Sequence, residues 1–538
     1  MKKLNFSLFI ILIICCAQLS AQHFVPHSQM IFGGDNFDGS VDMLKAADGG
    51  YYILSSSYSG ISGNKTAPNY SQWNSHNDFW LIKTDSLFNN EWQKSFGGDS
   101  WDTPFKLLKD DVDNLYLIGY TASDSSGNQT VGTFGDDDAD GWIIKTDANG
   151  NELWQKKFGG DLIDVIRDAI IVNSRIYCIA SSNSSISGVK TDTCRGGNDY
   201  WLFSIDTAGN MLWDKTYGGT ADDYPGSIGA SNEILYISGT SFSPASGEKS
   251  EDNLGNRNVW LLKVDTETGA LLDEKTFGSD GSDYENSKSL IVENGFVYYS
   301  GSSDGDITEY KSDTARNSTD YYLVKLDTAL NYIWDKTLGG LGTEYYCRMY
   351  YANETLLLSG SSESGIGFEK TEDAYYDNDF VTRSAWYLGL DTDGNILWDK
   401  TIGTNSFDSP TNCFVENNEL VFSINTYAEY SSGDLLVSPY GECDIWLFKM
   451  SVPWTNISSY TLQTIDVYPN PVKTQLHVAQ SFKSDVDYRI TSMHGLVLES
   501  NRLNVSESMI DVSMLPVGVY ILQIRDSQTV YQTKFTKF

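Results

Sequence analysis

Seven carboxylates recur at one spacing. Asp38, Asp102, Asp164, Asp223, Asp283, Glu344 and Asp408 each lie six residues after an aromatic or apolar mark that leads into a glycine turn: Phe32, Phe96, Phe158, Tyr217, Phe277, Leu338 and Ile402. Such carboxylates could hold a cation, face a substrate, or accept backbone N–H bonds within their own loop, as Asp does in Asx-type turns. Repetition in every copy favours the last role, because a fold device keeps symmetry where a site breaks it. A second acidic group, Asp136, Asp137, Asp138 and Asp140, is a calcium candidate, weighed against a solvated acidic loop. DANGN (147–151) and DTDGN (391–395) begin like calcium loops, but the glycine comes fourth instead of sixth and no glutamate closes them, so hairpin turns are expected. The glycine pairs at 33–34, 97–98, 159–160, 218–219 and 339–340 precede no helix and carry no phosphate-loop lysine. They are expected to serve turns needing positive φ.

Catalytic constellations are sparse. The five histidines are His23, His27, His76, His477 and His494, so a Ser-His-Asp or Cys-His site would depend on His76 or the N-terminal pair. A three-histidine zinc site does not fit the repeats. Beyond the N-terminal segment stand Cys178, Cys194, Cys347, Cys413 and Cys443, an odd number without metal spacing. Cys178 with Cys194, or Cys347 with Cys413, are possible disulfides, and five free thiols are at least as compatible. A glycosidase-type carboxylate pair stays open, because spacing across repeats is invisible in one dimension.

The elements that must position these residues come from a repeat typified by DGWIIKTDANGNELWQKKFGGD (140–161). An aromatic opens an apolar strand at Trp80, Trp142, Trp201, Trp260, Tyr322, Trp386 and Trp446, spaced 59 to 64 residues. A tryptophan four residues before the glycine-turn mark recurs as Trp92, Trp154, Trp213, Trp334 and Trp398, with Asp273 departing in the fourth copy. The second copy reads as strands at 104–110, 114–122, 141–147 and 152–158, with a tight turn between the last two. Four antiparallel strands repeated seven times predict an all-β, seven-bladed β-propeller. The last copy lacks its fourth strand and the chain begins with a spare one near 28–32, so an N-terminal strand is expected to close the last blade. In this arrangement the seven carboxylates would ring one mouth of the channel. The long connections between second and third strands lie on the same face, and Tyr70, Trp73, Phe134, Tyr375, Tyr376 and Phe380 are its candidate ligand-face aromatics, with packing between loops as the alternative. The blade pattern is similar to that of quinoprotein propellers, yet no adjacent cysteine pair follows the N-terminal segment, and no quinone cofactor is expected.

Lys+Arg 37 against Asp+Glu 72 gives a net charge of −35, which repels phosphates and argues against a nucleic-acid partner. Residues 1–21 read as a secretory signal, with Lys2 and Lys3 before an apolar run too short to span a bilayer. No later stretch is apolar enough for a transmembrane helix. Residues 22–452 hold the repeats, 453–462 read as a linker, and 463–538 change pattern. There IDVYPNPVKTQLHV (465–478), YRITSMHGLVL (488–498), IDVSMLPVGVYILQI (510–524) and KFTKF (534–538) resemble the C-terminal sorting domain of type IX secretion cargo in the Bacteroidetes. The resemblance implies a small β-sandwich read by the outer-membrane secretion machinery, and delivery to the cell surface or release after export to the periplasm.

Two functions follow as expectations. One is a non-catalytic propeller that binds a glycan or a surface protein through its long-loop face. The other is a secreted carbohydrate-active enzyme, a glycosidase or lyase, using acidic or tyrosine residues of that face. No cofactor is expected beyond calcium at 136–140. Deleting 463–538 should leave the repeats folded but held in the periplasm, measured by cell fractionation; normal surface delivery of the truncated chain would refute the sorting assignment.

Overall fold

The computed structural model describes residues 26–71, 75–135, 139–316, 318–377, 380–417, 419–451, 461–479, 482, 486–492, 497–503, 509–525 and 529–538. The expected signal segment, Trp73 and residues 136–138 lie outside the described residues, as do the side chains of Tyr376 and Phe380. The chain divides into two compact units, residues 1–451 and 452–538.

Among the described residues the first unit is built of seven four-stranded antiparallel sheets that resemble propeller blades. The first sheet orders Asp38–Lys45, Tyr51–Ser57, Asp78–Thr84 and Asn90–Phe96. The second orders Asp102–Lys109, Leu115–Thr121, Asp140–Thr146 and Glu152–Phe158, within two residues of the strands read from sequence. The seventh takes its outer strand from the other end of the chain: His27–Phe32 pairs with Asp444–Ser451, Ile31 opposite Trp446 and Phe32 opposite Ile445. First strands of all seven sheets converge on one cavity, lined in turn by Asp42, Lys106, Asp168, Ser227, Lys288, Tyr350 and Asn412.

The third strands are apolar on both sides, because each is sandwiched between neighbouring sheets. Trp80, Trp142, Trp201, Trp260, Trp386 and Trp446 are fully buried there. The outer tryptophans join one sheet to the next. Trp154 donates its indole N–H to the Thr207 carbonyl, and Trp213 to that of Thr266. Their rings lie over the hairpin glycines of the next sheet: a Cβ on Gly150 would stand 2.7 Å from Trp92, and one on Gly209 3.1 Å from Trp154. Where the hairpin carries a side chain, the facing tryptophan is gone. Asp273 precedes the hairpin of Leu330, and Ser28 precedes that of Phe88; both hairpin residues hold the positive φ that glycine has elsewhere. This accounts for the fourth copy's departure.

The second unit holds a five-stranded and a three-stranded sheet around one core that includes Leu476, Ile490, Ile510, Leu522 and Phe535. Its strand Thr461–Thr464 begins inside the stretch expected as linker, which corrects that boundary.

Removing residues 21–34 exposes the third strand of the seventh sheet and strips the burial of Ile31 and Phe32, about 1.5–3 kcal/mol each. The melting temperature of the truncated chain should fall by several degrees; an unchanged value would argue against closure by this strand.

Candidate functional site

The recurring carboxylates open the first strands and turn into their own connecting loops. Asp38, Asp102, Asp164, Asp223, Asp283, Glu344 and Asp408 are all fully buried. Each accepts the backbone N–H four residues earlier: Gly34 to Asp38 at 2.6 Å, Gly98 to Asp102, Gly160 to Asp164 and Gly219 to Asp223 at 2.7 Å. Ser279, Gly340 and Thr404 do the same for the other three. A serine from the long loop adds an O–H, as Ser59 does to Asp38 and Ser184 to Asp164, both at 2.7 Å. The glycine pairs serve this approach and not a positive φ, which corrects the expectation: none of those pairs has positive φ. A Cβ on Gly97 would lie 2.2 Å from Asp78 Oδ1 and 2.9 Å from Asp102 Oδ2.

Asp78 belongs to a second series that opens the third strands: Asp78, Asp140, Asp199, Asn258, Asp320, Ser384 and Asp444. Asp140, the described member of the calcium candidate, is buried here and accepts the N–H of Phe134. Among the described residues no group of three or more His, Cys, Asp or Glu is placed to hold a metal ion. In the fourth sheet Asn258 donates its amide to Asp283, which opens the fifth, at 2.7 Å. The equivalent acids must carry a proton to do likewise, and burial drives them there. It lifts Asp78 to about 8, Asp199 and Asp320 to about 7 and Asp444 to about 6. Burial also lifts the partners Asp102 to about 6 and Asp408 to about 7.

Each residue whose N–H meets this second series wedges against the next loop. Tyr70 packs on Gly127, Phe134 on Gly188 and Tyr375 on Gly433, with the Tyr375 hydroxyl donating to Asp434 at 2.8 Å. Three of the expected ligand-face aromatics are thus engaged between loops. Tyr376 pairs with Val381 in a short hairpin. Five of the seven long loops are further held by a buried lysine that sequence reading missed; Gln129 and Asp434 stand at its place in the second and seventh. Lys65 donates to the carbonyls of Ser59 and Ala67 at 2.8 and 3.0 Å and lies over Trp80. Lys190, Lys249, Lys311 and Lys370 repeat the position, always eight residues after the serine that ends the second strand. That fixed offset was the available signal. Burial pulls Lys65 and Lys370 down to about 8.

The aromatics left half-exposed form a belt around the channel mouth at the long-loop end. Phe37 lies 5.7 Å from Tyr58 and 5.9 Å from Tyr427, and Phe105 lies 6.1 Å from Tyr120. Arginines stack between them. Arg167 lies 5.2 Å over Phe105, Arg257 3.8 Å over Tyr284 and 5.3 Å over Phe242, and Arg383 3.9 Å over Tyr345 and 5.5 Å over Phe407. Phe105 and Arg167 are bulge residues, skipped in the pairing of their first strands, which turns them out of the ladder. His76 stacks with Trp101 at 4.5 Å beside this face.

Below the belt the cavity, about 700 Å³, is crossed by paired charges. The fifth sheet breaks the pattern: residues 286–289 stand opposite the single Ser300, and Lys288 adopts a positive φ of 61°. Its ammonium bonds Asp42 of the first sheet at 2.7 Å and the carbonyl of Asn412. Lys106 pairs with Asp168 at 2.8 Å, and Asp168 also accepts from Ser227 and the Ile228 N–H. Burial pulls Lys288 down to about 8; burial opposes the charge on Asp42, yet Lys288 and Lys106 hold it below the usual carboxylate range. The five described thiols are unbonded, so neither possible disulfide is formed.

Residues 466–537 match the family described as the secretion system C-terminal sorting domain. The chain therefore carries a type IX sorting tail behind propeller-like sheets, and the tail marks it for secretion to the cell surface or exterior. No curated protein matches the chain. Among solved structures it is similar to BamB from Moraxella catarrhalis, at 13% identity over 80% of this chain and 100% of that one, with a TM-score of 0.37. It is also similar to quinohemoprotein alcohol dehydrogenase from Comamonas testosteroni, at 10% identity over 78% and 76% with a TM-score of 0.37. BBS1N in complex with ARL6DN aligns at 9% identity over 80% and 97%, with a TM-score of 0.42. Likeness at this level carries no functional argument.

The raised acids make stability depend on pH. The folded chain holds protons that the unfolded chain releases above the ordinary carboxylate range, so their contribution is full in acid and is lost as pH rises through about 6 to 8. The melting temperature should be higher at pH 5 than at pH 8. Asp78→Asn copies Asn258 and should recover on the order of 1–3 kcal/mol at pH 8, whereas Asp102→Ala should destabilise at both, since it removes the acceptor for Gly98 and Ser123.

Proposed function

We propose that the seven sheets close as a seven-bladed β-propeller at 22–452 and that the sorting domain at 461–538 folds as a β-sandwich. Residues 1–21 direct export to the periplasm, and the sorting domain hands the chain to the type IX machinery. The delivered propeller acts as a non-catalytic module that binds a glycan or a surface protein through its long-loop face. Pairing of His27–Phe32 with Asp444–Ser451 supports the closure, and the convergence of all seven first strands on one cavity supports the ring.

One observation carries the binding reading: aromatics stand half-exposed around the mouth. Phe407 is 52% exposed, Phe242 39% and Tyr427 39%, and arginines brace three of the rings. Aromatic faces held rigidly over a large surface are typical of binding anchors. The alternative, a glycosidase or lyase on that face, would need two carboxylates converging on a substrate. The recurring acids are instead engaged by backbone donors, which favours a binder.

The secreted chain should be screened on a glycan array and against the producer's secreted proteins, with and without calcium. The double substitution Phe242→Ala, Tyr284→Ala should weaken the partner found by at least tenfold at unchanged melting temperature. Unchanged binding would move the site off this face.

A further inference from the structure

We infer that the channel mouth takes an acidic polysaccharide, one whose sugars carry carboxylate or sulfate groups. The inference rests on the reading of that mouth as the binding face and adds the charge of the ligand.

Several buried or half-buried cations elsewhere in the first unit are matched by carboxylates: Lys106 meets Asp168, Lys288 meets Asp42, Arg195 meets Glu248 and Arg316 meets Glu369. Others, such as Lys65, Lys157 and Lys325, are met by backbone carbonyls. Among the described residues, no carboxylate lies within 4.0 Å of the Arg167 or Arg257 guanidinium, in a chain with 72 acidic residues against 37 basic ones. The polar groups facing Arg167 are the hydroxyls of Tyr120 and Tyr224, and burial disfavours its charge. Arg383 spends one nitrogen on Glu363 at 3.2 Å, while its Nε is buried with no partner. A cation withdrawn from water without a counterion is costly, and an anion supplied by a ligand would offset that cost.

The geometry suits a sugar bearing an acid. Arg257 and Arg383 stand 3.8 and 3.9 Å over the Tyr284 and Tyr345 rings, and the planar guanidinium fork matches a carboxylate or sulfate. The three arginines come from different sheets around one mouth, so they would read charges spaced along an extended ligand. Between them the aromatics offer flat faces to sugar C–H groups; the Tyr224 hydroxyl accepts from Asn198 at 3.2 Å and that of Tyr284 donates to Asp304 at 3.4 Å, and each keeps a further hydrogen-bonding place for a sugar hydroxyl. An acidic peptide would satisfy the arginines but leave those paired faces and hydroxyls without a matching repeat.

The test uses the full secreted protein with four probes: polygalacturonate, dextran sulfate, unmodified dextran and poly-L-glutamate. Binding to polygalacturonate or dextran sulfate should exceed that to dextran and to polyglutamate by at least tenfold, and the stronger of the first two distinguishes carboxylate from sulfate. Arg167→Gln and Arg257→Gln should each weaken it about tenfold at unchanged melting temperature. Arg257→Lys, which keeps charge without the fork, should lose part of it. Arg175→Gln, on an exposed pair with Glu267, should change nothing. Equal binding to polyglutamate, or arginine variants that bind like the parent, would overturn the inference. Binding to dextran that survives the arginine changes but is lost in Phe242→Ala, Tyr284→Ala would keep the face and overturn its acidic class; survival in every variant would overturn both.

Discussion

The rest of the first unit depends on the bond between a buried carboxylate and the glycine turn that delivers the chain from one sheet to the next. Asp102 shows its parts. It accepts the N–H of Gly98, holds the hydroxyl of Ser123, and that hydroxyl in turn accepts the N–H of Ser100. One acid therefore ties the turn, the start of the first strand and the start of the long loop. A buried carboxylate is expensive unless its lone pairs are met, so a place that meets them defines the local geometry sharply. Repetition makes every sheet start in the same way.

This junction also explains why the first position of the turn is glycine in all seven copies, while the second admits Ser279 and Thr404. The turn runs so close to two carboxylates that any side chain would collide with them, and closeness is what lets a neutral acid such as Asp320 sit against Glu344. Burial keeps one member of the pair protonated, and the fourth sheet reaches the same neutral state with the amide of Asn258. The outer edge uses another compensation. Tryptophan is present where the next hairpin has glycine and absent where it has Phe88 or Leu330, since ring and Cβ would compete for one space.

A scaffold fastened at its junctions leaves the mouth free to vary. The regular positions carry Asp, Gly, Ser, Lys and Trp, while arginines and half-exposed rings stand at positions that differ between copies. The fifth sheet departs most, sending Lys288 to Asp42 of the first sheet and closing the channel with paired charges. The belt above that plug is the surface where symmetry is lost, and an exported chain with a sorting tail presents such a surface to the outside.

Sequence alone determined the all-β class, the strand positions within two residues, the spare first strand and the sorting tail, because strand periodicity, turn chemistry and a fixed repeat are written locally. The carboxylate series was also legible as a fold device, since its spacing never varies. Tertiary structure decided which aromatics are free. Tyr70 and Tyr375 look exposed in a polar loop but meet a glycine of the next loop about sixty residues on, and Phe134 meets one while staying 41% exposed, whereas Phe242 and Tyr284, inconspicuous beside strand ends, meet Arg257. Convergence of distant first strands and single-residue bulges set these contacts. A bulge shifts a side chain from ladder to mouth without changing composition, and no one-dimensional spacing records which neighbour it then faces.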